Sequence, residues 1–162
     1  MAKRIRLLIV DDEAPFLRSL SERLSLRDFD VVAMGSGEEA LAAAQKQEFD
    51  LALVDLRMPG MSGEELLEAL KKQHPLTEVV ILTGHGSIDS AVRCTQAGSY
   101  TYLQKPCEMG PLLDALRQAY EKRIQRKYEV GESKLREVLG LALCESSLGV
   151  LMRLRDIDEK GL

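Results

Sequence analysis

Five side chains with the chemistry of phosphoryl transfer recur at equivalent places along this chain. They are Asp11 and Asp12 in LLIVDDE, Asp55 in LALVDLRMPGMSG, Thr83 in VVILTGHG and Lys105 in YLQKP. Each follows a short run rich in Val, Ile and Leu, the pattern of a strand buried on both faces. In an open parallel sheet the carboxyl ends of the strands share one edge, so these side chains are expected to converge there. Three clustered carboxylates repel one another. A hard divalent cation such as Mg²⁺ relieves that repulsion through oxygen ligands and is suited to work on a phosphoryl group. Asp55 is the expected nucleophile, since a carboxylate can attack a phosphoryl group and form an acyl phosphate. Asp11 and Asp12 are the expected metal ligands, with Lys105 and Thr83 directed at the phosphoryl oxygens. Taken singly, each has a plainer reading: an acidic turn capping a helix, a strand-end threonine, a surface lysine.

The elements that must position these groups alternate in type. Strands are expected at 5–10, 29–34, 51–55, 78–83 and 100–103. Helices are expected at 15–26, 37–47, 63–73, from Ser87 to near Gly98, and from Glu108 onward. Ser36 with Glu39 reads as a capping box, and Gly98 suits a left-handed helix end. Five strand–helix units with right-handed crossovers give an α/β doubly wound parallel sheet with helices on both faces. Pro106 suggests a cis peptide after Lys105, and Gly60 and Gly63 suit tight turning after Asp55.

Composition narrows the possible functions. With 162 residues the chain has room for one full core and an appendage. A net charge of −4 gives no electrostatic footprint for nucleic acid. The cysteines Cys94, Cys107 and Cys144 are odd in number and form no CxxC pair, which fits reduced thiols. No apolar run approaches the roughly 20 residues of a membrane span, so a soluble, cytoplasmic protein with no membrane partner is expected.

The order and spacing of VDDE at 10–13, D-x-x-M-P-G-M-x-G at 55–63, Thr83 and Lys105-Pro106 resemble the receiver domain of bacterial two-component response regulators. TGHGSIDSA at 83–91 is most similar to receivers of the nitrogen-regulator type. The resemblance implies a flavodoxin-like sheet of order 2-1-3-4-5. It also implies that Asp55 accepts a phosphoryl group from a histidine kinase or phosphotransfer protein, with Mg²⁺ bound chiefly by Asp12 and the Arg57 backbone carbonyl as a further ligand. Tyr102 matches the family's switch aromatic. Arg57 and His85 occupy places that influence phosphoryl lifetime. Cys107 departs from the aromatic that often follows Lys-Pro.

The output would be protein binding, with no enzymatic activity beyond self-catalysed phosphorylation and dephosphorylation. A haloacid-dehalogenase-like phosphatase also uses a strand-end Asp, but its general acid would fall at Arg57. A transcriptional regulator with a truncated output domain is the other alternative.

Residues 3–122 are assigned to the receiver and 123–162 to a helical extension. The stripe Leu112, Leu116, Tyr120, Ile124 and Tyr128 continues past the expected edge of the receiver. Apolar segments at 135–143 and 148–157 follow it. Their mixed charges argue against DNA reading, so a homodimer or a docked protein target is expected to cover this apolar surface.

Overall fold

A computed structural model describes residues 3–84, 86–140 and 145–161. His85 and Cys144, both singled out in the sequence, lie outside the described residues, as does the end of the segment expected at 135–143. The elements run β1 (Ile5–Val10), α1 (Ala14–Ser25), β2 (Phe29–Met34), α2 (Gly37–Lys46), β3 (Leu51–Val54), α3 (Gly63–Gln73), β4 (Glu78–Thr83), α4 (Ile88–Gln96), β5 (Thr101–Gln104) and α5 (Met109–Tyr128). Two shorter helices follow, α6 (Glu132–Leu139) and α7 (Ser147–Lys160). The strands form one parallel sheet in the order β2-β1-β3-β4-β5.

Side chains that alternate along each strand feed two cores, because successive residues of a strand point to opposite faces. Ile5, Leu7, Ile9, Leu51, Leu53, Val80 and Leu82 pack on the side of α1 and α5. Leu8, Val10, Ala52, Val54, Val79 and Ile81 pack on the side of α2, α3 and α4. Burial on both faces explains why these strands read as unbroken apolar runs.

Helix starts follow local chemistry. The Ser36 hydroxyl accepts the Glu39 amide, and Ser87 and Ser90 form a reciprocal capping box. The reciprocal half expected at Ser36 is different: the Glu39 carboxylate accepts the Gly35 amide at 3.3 Å. Gly98 follows α4 at φ +104, as its left-handed role requires.

The extension departs most from expectation. The helix α5 is continuous through residue 122, and α6 and α7 fold back to share the core of its face, burying Leu135, Leu139, Val150, Leu151 and Leu154. Within the chain the stripe on α5 is buried between the sheet and these two helices, with Leu116, Tyr120 and Ile124 fully buried.

A polar hub fixes α7 to the amino-terminal edge of the sheet. Asp50, fully buried just before β3, pairs with Arg6 at 2.8 Å, Arg155 at 3.1 Å and Arg123 at 3.3 Å. Asp158 accepts from the Tyr120 hydroxyl at 2.6 Å and from Arg123 at 3.2 Å, and also binds Lys127. Arg155 donates to the Tyr120 oxygen at 3.3 Å. Buried carboxylates are tolerated when cations and donors surround them in this way.

Burial by itself raises the Asp158 carboxyl, but the bonds from Lys127 and Tyr120 outweigh it and hold the group below its ordinary 3.8. A depressed carboxyl contributes stability that is present above its unfolded value and lost as pH falls through the folded one. Asp158→Ala should lower unfolding stability by about 3 kcal/mol near neutral pH, since it strips a buried cation cluster of one partner. The difference from wild type should shrink below about pH 4. Urea titrations at pH 7 and pH 3 test this, and an equal deficit at both would contradict it.

Candidate functional site

The carboxyl edge of the sheet brings Asp11, Asp12 and Asp55 together. One oxygen from each carboxylate lies within 4.8 Å of the others, with Asp11 and Asp55 buried and Asp12 exposed. Backbone pairing sets this geometry: the Asp55 amide donates to the Val10 carbonyl at 3.0 Å, and the Asp11 amide to the Met34 carbonyl at 3.1 Å. Asp11 also accepts the Glu13 amide at 2.9 Å, so the turn into α1 orients it.

Lys105 enters from the end of β5 across a cis bond to Pro106, as the sequence suggested. Its backbone amide donates to the Thr83 carbonyl at 2.9 Å, which ties the two positions together, and Thr83 is fully buried. The Lys105 ammonium sits 2.5 Å from Asp11 and 3.7 Å from Glu13, over the Phe16 ring at 4.0 Å. Glu13 closes the VDDE motif, whereas Phe16 is a site neighbour that the sequence did not reveal. Phe16 reads simply as one residue of the apolar face of α1, and nothing local marks it as the floor under a cation.

Burial raises the Asp11 carboxyl above its usual range, against the opposing bond from Lys105. Burial disfavours the charged Lys105, yet Asp11, Asp55 and Glu13 leave it raised. Both Asp55 oxygens are buried and lack a hydrogen-bond partner. An ionised carboxylate in that condition needs a cation. The donor set is three carboxylates, all oxygen, which fits a hard divalent ion better than a soft one.

The surrounding residues differ in how directly they reach the site. Arg57, two residues beyond Asp55, has an exposed side chain. Tyr102 is half-buried, its hydroxyl 3.4 Å from that of Ser90. Gly86 makes this position possible, because a Cβ there would stand 1.5 Å from the Tyr102 oxygen. Gly63 does more than turn the chain. A Cβ on it would lie 2.1 Å from the Asp55 carbonyl and 2.7 Å from the Leu56 Cα, so only glycine lets the start of α3 approach the backbone of Asp55. Cys107 is half-buried beside a small cavity lined by Phe16, Leu20, Leu82 and Met109, in keeping with a less filled corner.

A doubly wound 2-1-3-4-5 sheet with an acidic cluster, a threonine and a lysine at its carboxyl edge defines a receiver fold. The chain belongs to the response regulator receiver domain family, whose model matches residues 7–117. It is 36% identical over 137 residues to the transcriptional regulatory protein GlrR of Escherichia coli, an alignment covering 85% of this chain and 30% of that protein. It is 36% identical over 121 residues to the luminescence regulatory protein LuxO of Vibrio campbellii, covering 75% and 27%. The chain thus spans under a third of the length of these relatives, and the nitrogen-regulator type of receiver fits them.

Among solved structures it resembles a CheY-like receiver domain from Methanospirillum hungatei, with TM-score 0.73, 31% identity, and 76% and 98% of the two chains covered. It also resembles the receiver domain of a putative LuxO repressor protein from Vibrio parahaemolyticus, with TM-score 0.72, 26% identity, and 80% and 99% covered. Family and fold together replace the phosphatase alternative. Among the described residues no helix is long and apolar enough to cross a membrane.

The two glycines should respond differently to alanine. Gly63→Ala meets backbone and should cost about 1–3 kcal/mol. Gly86→Ala meets only the tip of a side chain, so it should leave stability nearly unchanged while driving Tyr102 outward. Urea midpoints and Tyr102 ring resonances by NMR distinguish the two. A Gly63→Ala midpoint equal to wild type would refute the close approach.

Proposed function

We propose that Asp55 accepts a phosphoryl group from a histidine kinase or phosphotransfer protein, and that the modified receiver, residues 3–122, switches a protein–protein contact. The observation that carries this reading is the buried, unpartnered carboxylate of Asp55 beside Asp11, Asp12 and Lys105. In the transfer an Asp55 oxygen attacks phosphorus in line, an O–P bond forms, and the N–P bond to the donor imidazole breaks. Asp11, Asp12 and Asp55, with the Arg57 carbonyl, are the groups that would hold Mg²⁺, which when bound neutralises charge on the phosphoryl oxygens.

Lys105 shifts from Asp11 toward a phosphoryl oxygen, and the Thr83 hydroxyl donates to another. Tyr102 reports that movement to the α4–β5 side, where Ile88 and Val92 are exposed on α4. Arg57 and His85 adjust access of water to the acyl phosphate. The acyl phosphate favours one of two packings, which makes the output a population shift.

A second reading rests on coverage. Relatives named as transcriptional regulators extend well beyond the matched region, so this receiver is also suited to act as the regulatory part of a longer protein.

Incubation with a small phosphodonor and Mg²⁺ should add one base-labile phosphoryl group, and Asp55→Asn should abolish it. Intact-mass measurement decides, and undiminished labelling of Asp55→Asn would rule out the assignment. In the absence of any phosphodonor, Mg²⁺ at ten times its Kd should stabilise the fold by about 1.4 kcal/mol. Asp12→Ala should remove that increment from the thermal midpoint, and a Mg²⁺-dependent shift that persists in Asp12→Ala would contradict the ligand set.

A further inference from the structure

Lys105 rests on the better satisfied of two neighbouring carboxylates. Asp11 already accepts the Glu13 amide on one oxygen, whereas neither oxygen of Asp55 has a hydrogen-bond partner. An oxygen of each lies within 4.8 Å of the other. An ammonium carries three donors, and the largest gain comes from the acceptor that most lacks them. On that ground Lys105 belongs on Asp55, yet it stands 2.5 Å from the second oxygen of Asp11. Something on the Asp11 side adds to the attraction.

The turn from β1 into α1 supplies it. Asp11, Glu13 and Phe16 all belong to that stretch, with a Glu13 oxygen 3.7 Å from the ammonium and the Phe16 ring centre 4.0 Å away. The Glu13 side chain is 55% exposed, so water screens its pull. The ring weighs more, because the Lys105 side chain is only 12% exposed and a cation–π contact strengthens as water is excluded. Such a contact shifts the balance between two seats by roughly threefold to thirtyfold. Pro15, in the first turn of α1, fixes the backbone that carries the ring. The ring also borders a cavity of about 90 Å³ lined by Leu20, Leu82, Cys107 and Leu112, so close packing does not force it onto the ammonium.

We propose that Phe16 is a positioning residue whose ring holds the resting Lys105 ammonium on Asp11 and off Asp55, leaving both Asp55 oxygens open to an incoming phosphoryl group. The role in transfer rests on the reading of Asp55 as phosphoacceptor. A lysine paired with Asp55 would engage the lone pair that must attack phosphorus and blunt the nucleophile. Phe16 acts only through Lys105: with the ring gone, the ammonium redistributes toward the emptier carboxylate.

A double-mutant cycle in the full chain, without Mg²⁺ or phosphodonor, tests the contact. Phe16→Leu keeps an apolar side chain on α1 and removes the ring face, and Lys105→Gln removes the charge. In urea titrations Phe16→Leu should lower the folding equilibrium constant roughly threefold more with Lys105 present than in Lys105→Gln. Equal effects in the two backgrounds would overturn the proposal. Initial rates of labelling by a small phosphodonor at saturating Mg²⁺ test the consequence. Phe16→Leu should label several-fold more slowly than wild type, Phe16→Tyr should restore the rate, and in Lys105→Gln the Phe16→Leu change should have no further effect. A Phe16→Leu rate equal to or above wild type, a Phe16→Tyr rate as slow as Phe16→Leu, or a further loss in Lys105→Gln would each refute it. A wild type that takes no label at all sinks the Asp55 reading instead, and the urea cycle still decides whether the ring holds the lysine.

Discussion

A carboxylate taken out of water without a hydrogen bond is among the costliest arrangements a protein interior can hold. Asp55 is in that condition, and much of the surrounding architecture exists to keep it there. The strand that delivers it is buried on both faces, and the turn after it is closed by a glycine pressed against its own carbonyl. The lysine that would most easily satisfy it is instead held on the neighbouring Asp11. The Asp55 oxygens are thus left without a hydrogen-bond partner in a cluster whose donors suit a hard cation.

The same strand carries the opposite solution at its other end. Asp50, five residues earlier, is also buried, but three guanidiniums converge on it. Over those five residues, about 16 Å of extended chain, the backbone runs from a carboxylate paired with three guanidiniums to one whose oxygens have no hydrogen-bond partner. The paired end anchors α7 to the sheet. A secured carboxylate and an unpartnered one thus flank one short strand.

Much of this was legible from residues alone. The strand runs, the convergence of Asp11, Asp12 and Asp55, the cis bond before Pro106 and the Ser87 cap follow from periodicity and local chemistry, which act over a few residues. What escaped were properties of distant pairs. Nothing near Phe16 says that an ammonium will sit on its ring, and nothing near Gly86 says that Tyr102 will fill the space a methyl would take. The extension was misjudged for a related reason. Leu135 and Leu154 read as apolar surface in need of a partner, which is correct. A sequence does not say whether that partner is another molecule or the chain's own α5. The clue lay in Asp50, Arg123, Arg155 and Asp158, four charges whose pairing spans more than a hundred residues and carries no local signature.

Arg155 also donates to the carbonyl of Lys3 at 3.3 Å, which brings the last helix against the first residues of the described chain. The carboxyl-terminal half of α7 therefore lies beside the start of β1, on the edge of the sheet opposite the acidic cluster. Topologically the fold is nearly a closed loop, and proteins of that kind accept rearranged connectivity when new ends are placed at exposed turns. A flexible linker from the end of α7 to the start of β1, with the chain opened at the turn around Gly131, is the arrangement this contact suggests. The order in which the polypeptide visits its elements is, for this molecule, separable from the shape they make.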